Sequence, residues 1–152
     1  VGDAQVVAGV LAAEIALFEM KRDTEISVEA ASTLTANILS GRRYSPYWVQ
    51  LLIAGVDAGG GSVYSIDSAG GSIPDTYCAT GSGSPYMYGV LEDQYKEGMT
   101  RNEALKVTAR ALLASSQRDS ASGNGMDLAV ITMKDGFKLL TPAEKETLLK
   151  SI

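Results

Sequence analysis

Trp48-Val49-Gln50-Leu51-Leu52-Ile53-Ala54-Gly55-Val56, followed at once by Asp57-Ala58-Gly59-Gly60-Gly61, is the stretch that decides how this chain is read. An apolar run of strand length, closed by a glycine-rich turn, reads as a buried strand. Ser62–Ile66 returns from the turn as a second strand, so the pair is a hairpin. Gly70-Gly71 makes a further turn, and residues 72–79 add one or two short strands. Upstream lies a helical block. Val7, Leu11, Ile15 and Phe18 recur at steps of four or three, with Val6, Val10 and Leu17 widening the stripe, so residues 3–21 form a helix. Asp3 is its expected N-cap, and Lys21-Arg22 suit its C-terminal end. Residues 28–40 form a second helix, capped by Ser27 and ended by Gly41.

Downstream the same two blocks recur. Residues 84–95 and 101–117 are a second helical pair. The latter opens on the capping-box pattern Thr100-Arg101-Asn102-Glu103 and carries a stripe of Leu105, Ala109, Leu112 and Ser116. Strands follow at 127–133 and 136–140, hinged at Lys134-Asp135-Gly136. A last helix starts at Thr141-Pro142-Ala143-Glu144, which combines an N-cap Thr, a Pro at the first helical position and a Glu at the third. The order is ααββ(ββ)ααββα. Paired blocks rather than strict alternation argue for α+β architecture, antiparallel sheets covered by helix pairs, and against a doubly wound parallel sheet. There is no repeat at solenoid spacing and no long linker, so residues 1–152 read as a single domain.

Composition excludes several chemistries. With no histidine and one cysteine, Cys78, the 152-residue chain can build neither a Ser-His-Asp nor a Cys-His site. Imidazole and thiolate metal clusters are excluded for the same reason, and no metal or other cofactor is expected. A net charge of -5 gives no footprint for nucleic acid. The apolar start contains Glu14, is bounded by Asp3 and Glu19, and lacks a basic leader, so a buried helix is expected there rather than a membrane segment. Residue 1 is Val rather than Met, and the first helix begins almost at once. Both features predict residues upstream.

Three stretches carry candidate chemistry. Thr80-Gly81-Ser82-Gly83-Ser84 joins a strand-like run to a helix. It can be a tight turn in which Ser82 or Ser84 caps the helix, a catalytic serine, or a phosphate loop, although Tyr86 stands where a dinucleotide fingerprint needs Gly. Arg118-Asp119-Ser120-Ala121-Ser122-Gly123 follows a helix. It is either a structural turn with a satisfied carboxylate or a unit that orients a reacting group. A nucleophile activated without imidazole has one known solution, an N-terminal Thr, Ser or Cys whose own α-amino group is the base, and Asp119, Ser122 and Ser82 are the residue types such an amine needs around it. Arg42-Arg43-Tyr44-Ser45-Pro46-Tyr47-Trp48 reads as an aromatic lead-in to a buried strand. Glu92-Asp93-Gln94 with Glu97 reads as a solvated helix face.

Together these segments resemble the β-type subunit of the archaeal 20S proteasome, an N-terminal-nucleophile hydrolase. The resemblance rests on Gly2-Asp3-Ala4-Gln5, Tyr47–Leu52, Tyr64-Ser65-Ile66-Asp67, Ala69-Gly70-Gly71, Ala79–Ser84, Tyr88–Glu92, Gln117–Gly123, Asp127 and Val130-Ile131-Thr132, in order and almost end to end. It implies a four-layer αββα sandwich and a threonine-type endopeptidase acting inside a stacked-ring barrel. It implies that Ser82, Asp119 and Ser122 surround the nucleophilic threonine and its amine. Val1 and Ala4 would line the substrate pocket, and Asp67 would reach a neighbouring subunit's substrate channel. The implied partners are other β-type subunits in a homo-oligomeric, seven-membered ring, the α-type ring, a regulatory ATPase and unfolded protein substrates. The implied location is the cytoplasm, with neither nucleic acid nor membrane as partner. The nucleophilic threonine, a catalytic acid, a lysine and the leading strands match nothing in residues 1–152. They are expected to lie upstream, leaving open sheet edges and a segment that folds poorly alone. The alternative on the same fold is an inactive ring subunit.

Overall fold

The computed structural model describes residues 2–152, which form two compact units, residues 2–78 and 79–152. In the first, α1 (Gly2–Arg22) and α2 (Val28–Ser40) precede an antiparallel sheet of β1 (Leu51–Asp57), β2 (Gly60–Ile66) and β3 (Ser72–Asp75), in the order β1-β2-β3. In the second, α3 (Ser84–Gln94) and α4 (Arg101–Arg118) precede the antiparallel pair β4 (Ala129–Thr132) and β5 (Gly136–Leu139), closed by α5 (Pro142–Leu149). The α+β class and the paired-block order are both observed. No described helix is long and apolar enough to cross a membrane.

The first sheet shows why β1 reads as it does. Asp57 pairs with Gly60 across a two-residue turn, and the register runs back to Leu51 opposite Ile66. Leu51 and Ile53 turn to the helices and pack on a core of Val7, Ala36, Leu39 and Ile66. A Cβ on Gly55 would lie 2.8 Å from the Val28 side chain, so glycine lets α2 lie close to the strand. The other face of this sheet is apolar yet bare, with Leu52 and Ile73 exposed. The second unit repeats the arrangement. Leu128 and Leu140 are buried with Ala109 and Leu148, while Phe137 and Leu139 stand exposed on the opposite face. Each unit by itself is thus an antiparallel sheet with one face covered by helices.

Several local expectations are corrected. The first strand does not reach back to Trp48: pairing ends at Leu51, because the partner strand turns away after Ile66. Trp48 is 90% exposed and Tyr44 is 91% exposed, so the aromatic lead-in is largely a surface loop. Arg42 and Arg43 stack on the rings of Tyr47 and Tyr44. Asp3 is not an N-cap. It lies inside the first turn of α1, where its carboxylate accepts the Trp48 N–H at 2.8 Å. Residues 76–79 are not strand. The Thr76 N–H turns to the Asp75 carboxylate at 2.7 Å, which ends the pairing at Asp75. The two capping boxes, at Thr100/Glu103 and Thr141/Glu144, form as expected, as does the Ser27 cap.

Candidate functional site

The second unit holds a polar cluster at the C-terminal end of α4. The helix stops at Arg118 because Asp119 adopts an extended conformation, φ -103° and ψ 113°, while its N–H still closes on the Ser115 carbonyl at 2.8 Å. The chain then folds back, with the Ser122 N–H donating to the Asp119 carbonyl at 3.1 Å. This turn places the Asp119 carboxylate between two hydroxyls. Its Oδ2 accepts from Ser82 at 2.6 Å and from Ser122 at 2.8 Å, and its Oδ1 accepts the Ala121 N–H at 3.2 Å. The Ser82 hydroxyl, then the Ser122 hydroxyl and the Ala121 amide hold the Asp119 carboxyl below the usual carboxylate range. It is a carboxylate at neutral pH.

Ser82 arrives on a loop anchored by the Ala79 N–H, which donates to the Tyr88 hydroxyl at 3.1 Å. Gly81 sits at φ +92°, a conformation glycine adopts without cost. Gly83 is required for a different reason: a Cβ there would collide with the hydroxyls of both Ser115 and Ser122. Neither Ser82 nor Ser84 caps α3. The N-cap is Gly83, which makes no side-chain cap bond, and the Ser82 hydroxyl is spent on Asp119. The phosphate-loop alternative is set aside on the same geometry, since the loop presents its hydroxyl to a carboxylate, which repels phosphate.

Beside the cluster lies a cavity of about 340 Å³, lined by Gly81, Ser82, Ser115, Ser122, Asn124 and Met126 among others. Ser115 was absent from the sequence expectations, as was the part played by Gly83. Ser115 is buried, and its Oγ lies 2.9 Å from Ser122 Oγ. Its signal was a second stripe on α4, Val107, Ala111 and Ser115 at four-residue steps, all buried. The expected stripe through Leu105, Ala109 and Leu112 packs with Leu128, Leu140 and Leu148, so α4 is buried along two lines.

The structure therefore brings Ser82, Asp119 and Ser122 together. Ala4 and Asp67 belong to the first unit. Ala4 lies half-buried in the first turn of α1. Asp67 follows β2, where its Oδ1 accepts the Ala69 and Gly71 amides at 2.9 and 2.8 Å. Val1 lies outside the described residues. Among the described residues no His, Cys, Asp and Glu side chains group closely enough to hold a metal ion. Burial, followed by the charge of Asp75, pushes the Cys78 thiol above its ordinary value, which suits a packed thiol rather than a nucleophile.

A family described as proteasome subunit matches residues 1–131. A proteasome subunit beta of Thermoplasma acidophilum is 47% identical over 152 residues, covering 100% of this chain and 72% of that protein. One from Methanothermobacter thermautotrophicus is 44% identical with the same coverage. One from Methanosarcina thermophila is 50% identical over 145 residues, 95% of this chain and 69% of that protein.

Proposed function

This chain belongs to the proteasome subunit family, and from that premise we propose that it is a proteolytic β-type subunit of the core particle, hydrolysing peptide bonds with a threonine nucleophile that lies outside residues 1–152. Its two units would be parts of one β-type domain. The observation that carries this reading is the Asp119 carboxylate, whose Oδ2 is shared by the hydroxyls of Ser82 and Ser122 at the edge of a cavity. A threonine amine seated there would meet hydroxyl oxygens that still have lone pairs to accept its N–H groups. The carboxylate behind them would bias its orientation.

That arrangement answers a conflict in the chemistry. A bare carboxylate against an amine favours the ammonium form, which cannot act as a base. Hydroxyls placed between the two share out the negative charge and leave the amine free to be neutral near the value of about 8 that is ordinary for an α-amino group. The neutral amine takes the threonine hydroxyl proton as the oxygen attacks the scissile carbonyl carbon. It returns the proton to the departing amine, and water then hydrolyses the ester that remains. Ala4 and Val1 would contribute an apolar wall to the pocket for the side chain before the cut, and Asp67 would reach a neighbouring copy's channel. Homo-oligomeric seven-membered β rings, an α-type ring, a regulatory ATPase, unfolded substrates and a cytoplasmic location complete the proposal. An inactive ring subunit would have less need of the intact trio, which favours the active reading over that alternative.

The test is peptidase activity of the particle assembled from the full-length subunit, measured on fluorogenic peptides, with Asp119→Asn beside the parent. Hydrolysis by the parent and its near loss in the variant are expected. A parent particle that cleaves no peptide, or a variant as fast as the parent, would overturn the reading.

A further inference from the structure

We propose that Ser115 is a positioning residue of this site, fixing the Ser122 hydroxyl so that its proton points to Asp119 and its free lone pair is left for the nucleophile's amine. This rests on the function proposed above and extends it to a residue outside the Ser82, Asp119 and Ser122 trio.

Proton counting gives the direction. Ser122 Oγ lies 2.8 Å from Asp119 Oδ2 and 2.9 Å from Ser115 Oγ. A serine hydroxyl has a single proton to donate and two lone pairs. An ionised carboxylate can only accept, so the Ser122 proton is committed to Asp119. The proton between the two serines therefore belongs to Ser115. The bonds form one directed chain, Ser115 to Ser122 to Asp119, with Ser82 entering Asp119 from the other side. Each donor in such a chain strengthens the next. Having accepted from Ser115, Ser122 Oγ keeps one lone pair, and Ser122 lines the cavity. Among the described residues no lysine or arginine pairs with Asp119; the groups that act on it are hydroxyls and backbone amides.

The packing shows that the hydroxyl of Ser115 has a place made for it. Ser115 is 4% exposed on a stripe whose other members are Val107 and Ala111. Alanine would suit that stripe better in helix propensity and would bury no polar atom. The absent side chain of Gly83 leaves the space that the Ser115 hydroxyl fills. The Ser115 hydroxyl thus fits beneath Gly83 and spends its hydrogen bond on Ser122.

The test uses the assembled particle with Ser115→Ala, Ser122→Ala and the double variant, each measured for kcat and KM on a fluorogenic peptide and for Tm. Ser115→Ala is expected to lower kcat about fivefold, the worth of one ordinary hydrogen bond, with KM unchanged and Tm not reduced. Ser122→Ala should lose more, and the double variant should match it, because Ser115 acts only through Ser122. An active parent with an undiminished Ser115→Ala variant overturns the inference alone. So does a kcat loss that multiplies with that of Ser122→Ala, or one that follows a fall in Tm. A parent particle without peptidase activity overturns the proteolytic reading itself, and the inference with it.

Discussion

The two units share a plan, a helix pair and an antiparallel sheet with one covered face, but they use their aspartates differently. In the first unit Asp3, Asp57 and Asp67 all accept from backbone amides: Trp48, then Val28 and Gly59, then Ala69 and Gly71. A backbone N–H has nothing further to offer once its proton is given, so each of these carboxylates is a strut that fixes the path of the chain. In the second unit Asp119 spends one oxygen on two hydroxyls. A hydroxyl that donates can still accept, so the polarity of the carboxylate is passed onward. The neighbours of a carboxylate, rather than the carboxylate itself, separate a strut from a relay.

The sharpest way to break this contrast is to exchange carboxylate for amide in both places. Asp119→Asn should cut kcat in the assembled particle by on the order of 10²-fold while leaving Tm within a few degrees of the parent. Gly83→Ala comes next. The new methyl group meets Ser115 and Ser122 at once, so a loss of roughly 1–3 kcal/mol in stability should accompany a reduced kcat, read by urea melts alongside the peptide assay.

Asp57→Asn should do the reverse of Asp119→Asn. The Val28 amide, then the Gly59 amide, lower the Asp57 pKa. Its contribution is therefore present above the ordinary carboxylate pKa and is lost as pH falls through the lowered value. Tm should drop at neutral pH, the gap to the parent should close in acid, and kcat per assembled particle should stay at the parental value. A drop in kcat at unchanged Tm would erase the distinction between strut and relay.

The smallest expected effect concerns the α5 cap. The Thr141 amide first, then Lys138 and the Thr141 hydroxyl, hold Glu144 at about 2 against an ordinary 4.5. That depressed value means the cap is intact above pH 4.5 and is lost as pH falls toward 2. Hydrogen exchange of the first-turn amides of α5 should accelerate across that window relative to the Ala30 amide of α2, which the Ser27 hydroxyl holds without a carboxylate, after correction for the intrinsic pH dependence. An unchanged ratio would remove the cap from the account.

What could be read from sequence follows the range of the interactions. The α2 boundaries, the Ser27 cap, both capping boxes and the glycine hairpin were legible because each is settled within a few residues. The Asp119–Ser122 bond spans three residues and belongs to that class. The Asp3–Trp48 bond spans 45 residues and left no trace in either local pattern, so Asp3 looked like a cap. The Ser82–Asp119 bond spans 37 residues, and only the likeness to a family joined the two. Ser115 was missed because an apolar stripe is sought by hydrophobicity, which scores a buried serine as a gap. Trp48 was misplaced because a large aromatic before an apolar run looks like its first residue.

Trp48 is the sole tryptophan of the chain, and it stands almost fully in water while its backbone is tied to the start of α1. Nature has supplied a built-in optical reporter at one fixed spot on the first unit. Its emission should have the long-wavelength maximum of a hydrated indole and be readily quenched by iodide. Any neighbour that covers this loop will shift the Trp48 emission to the blue and shield it from iodide.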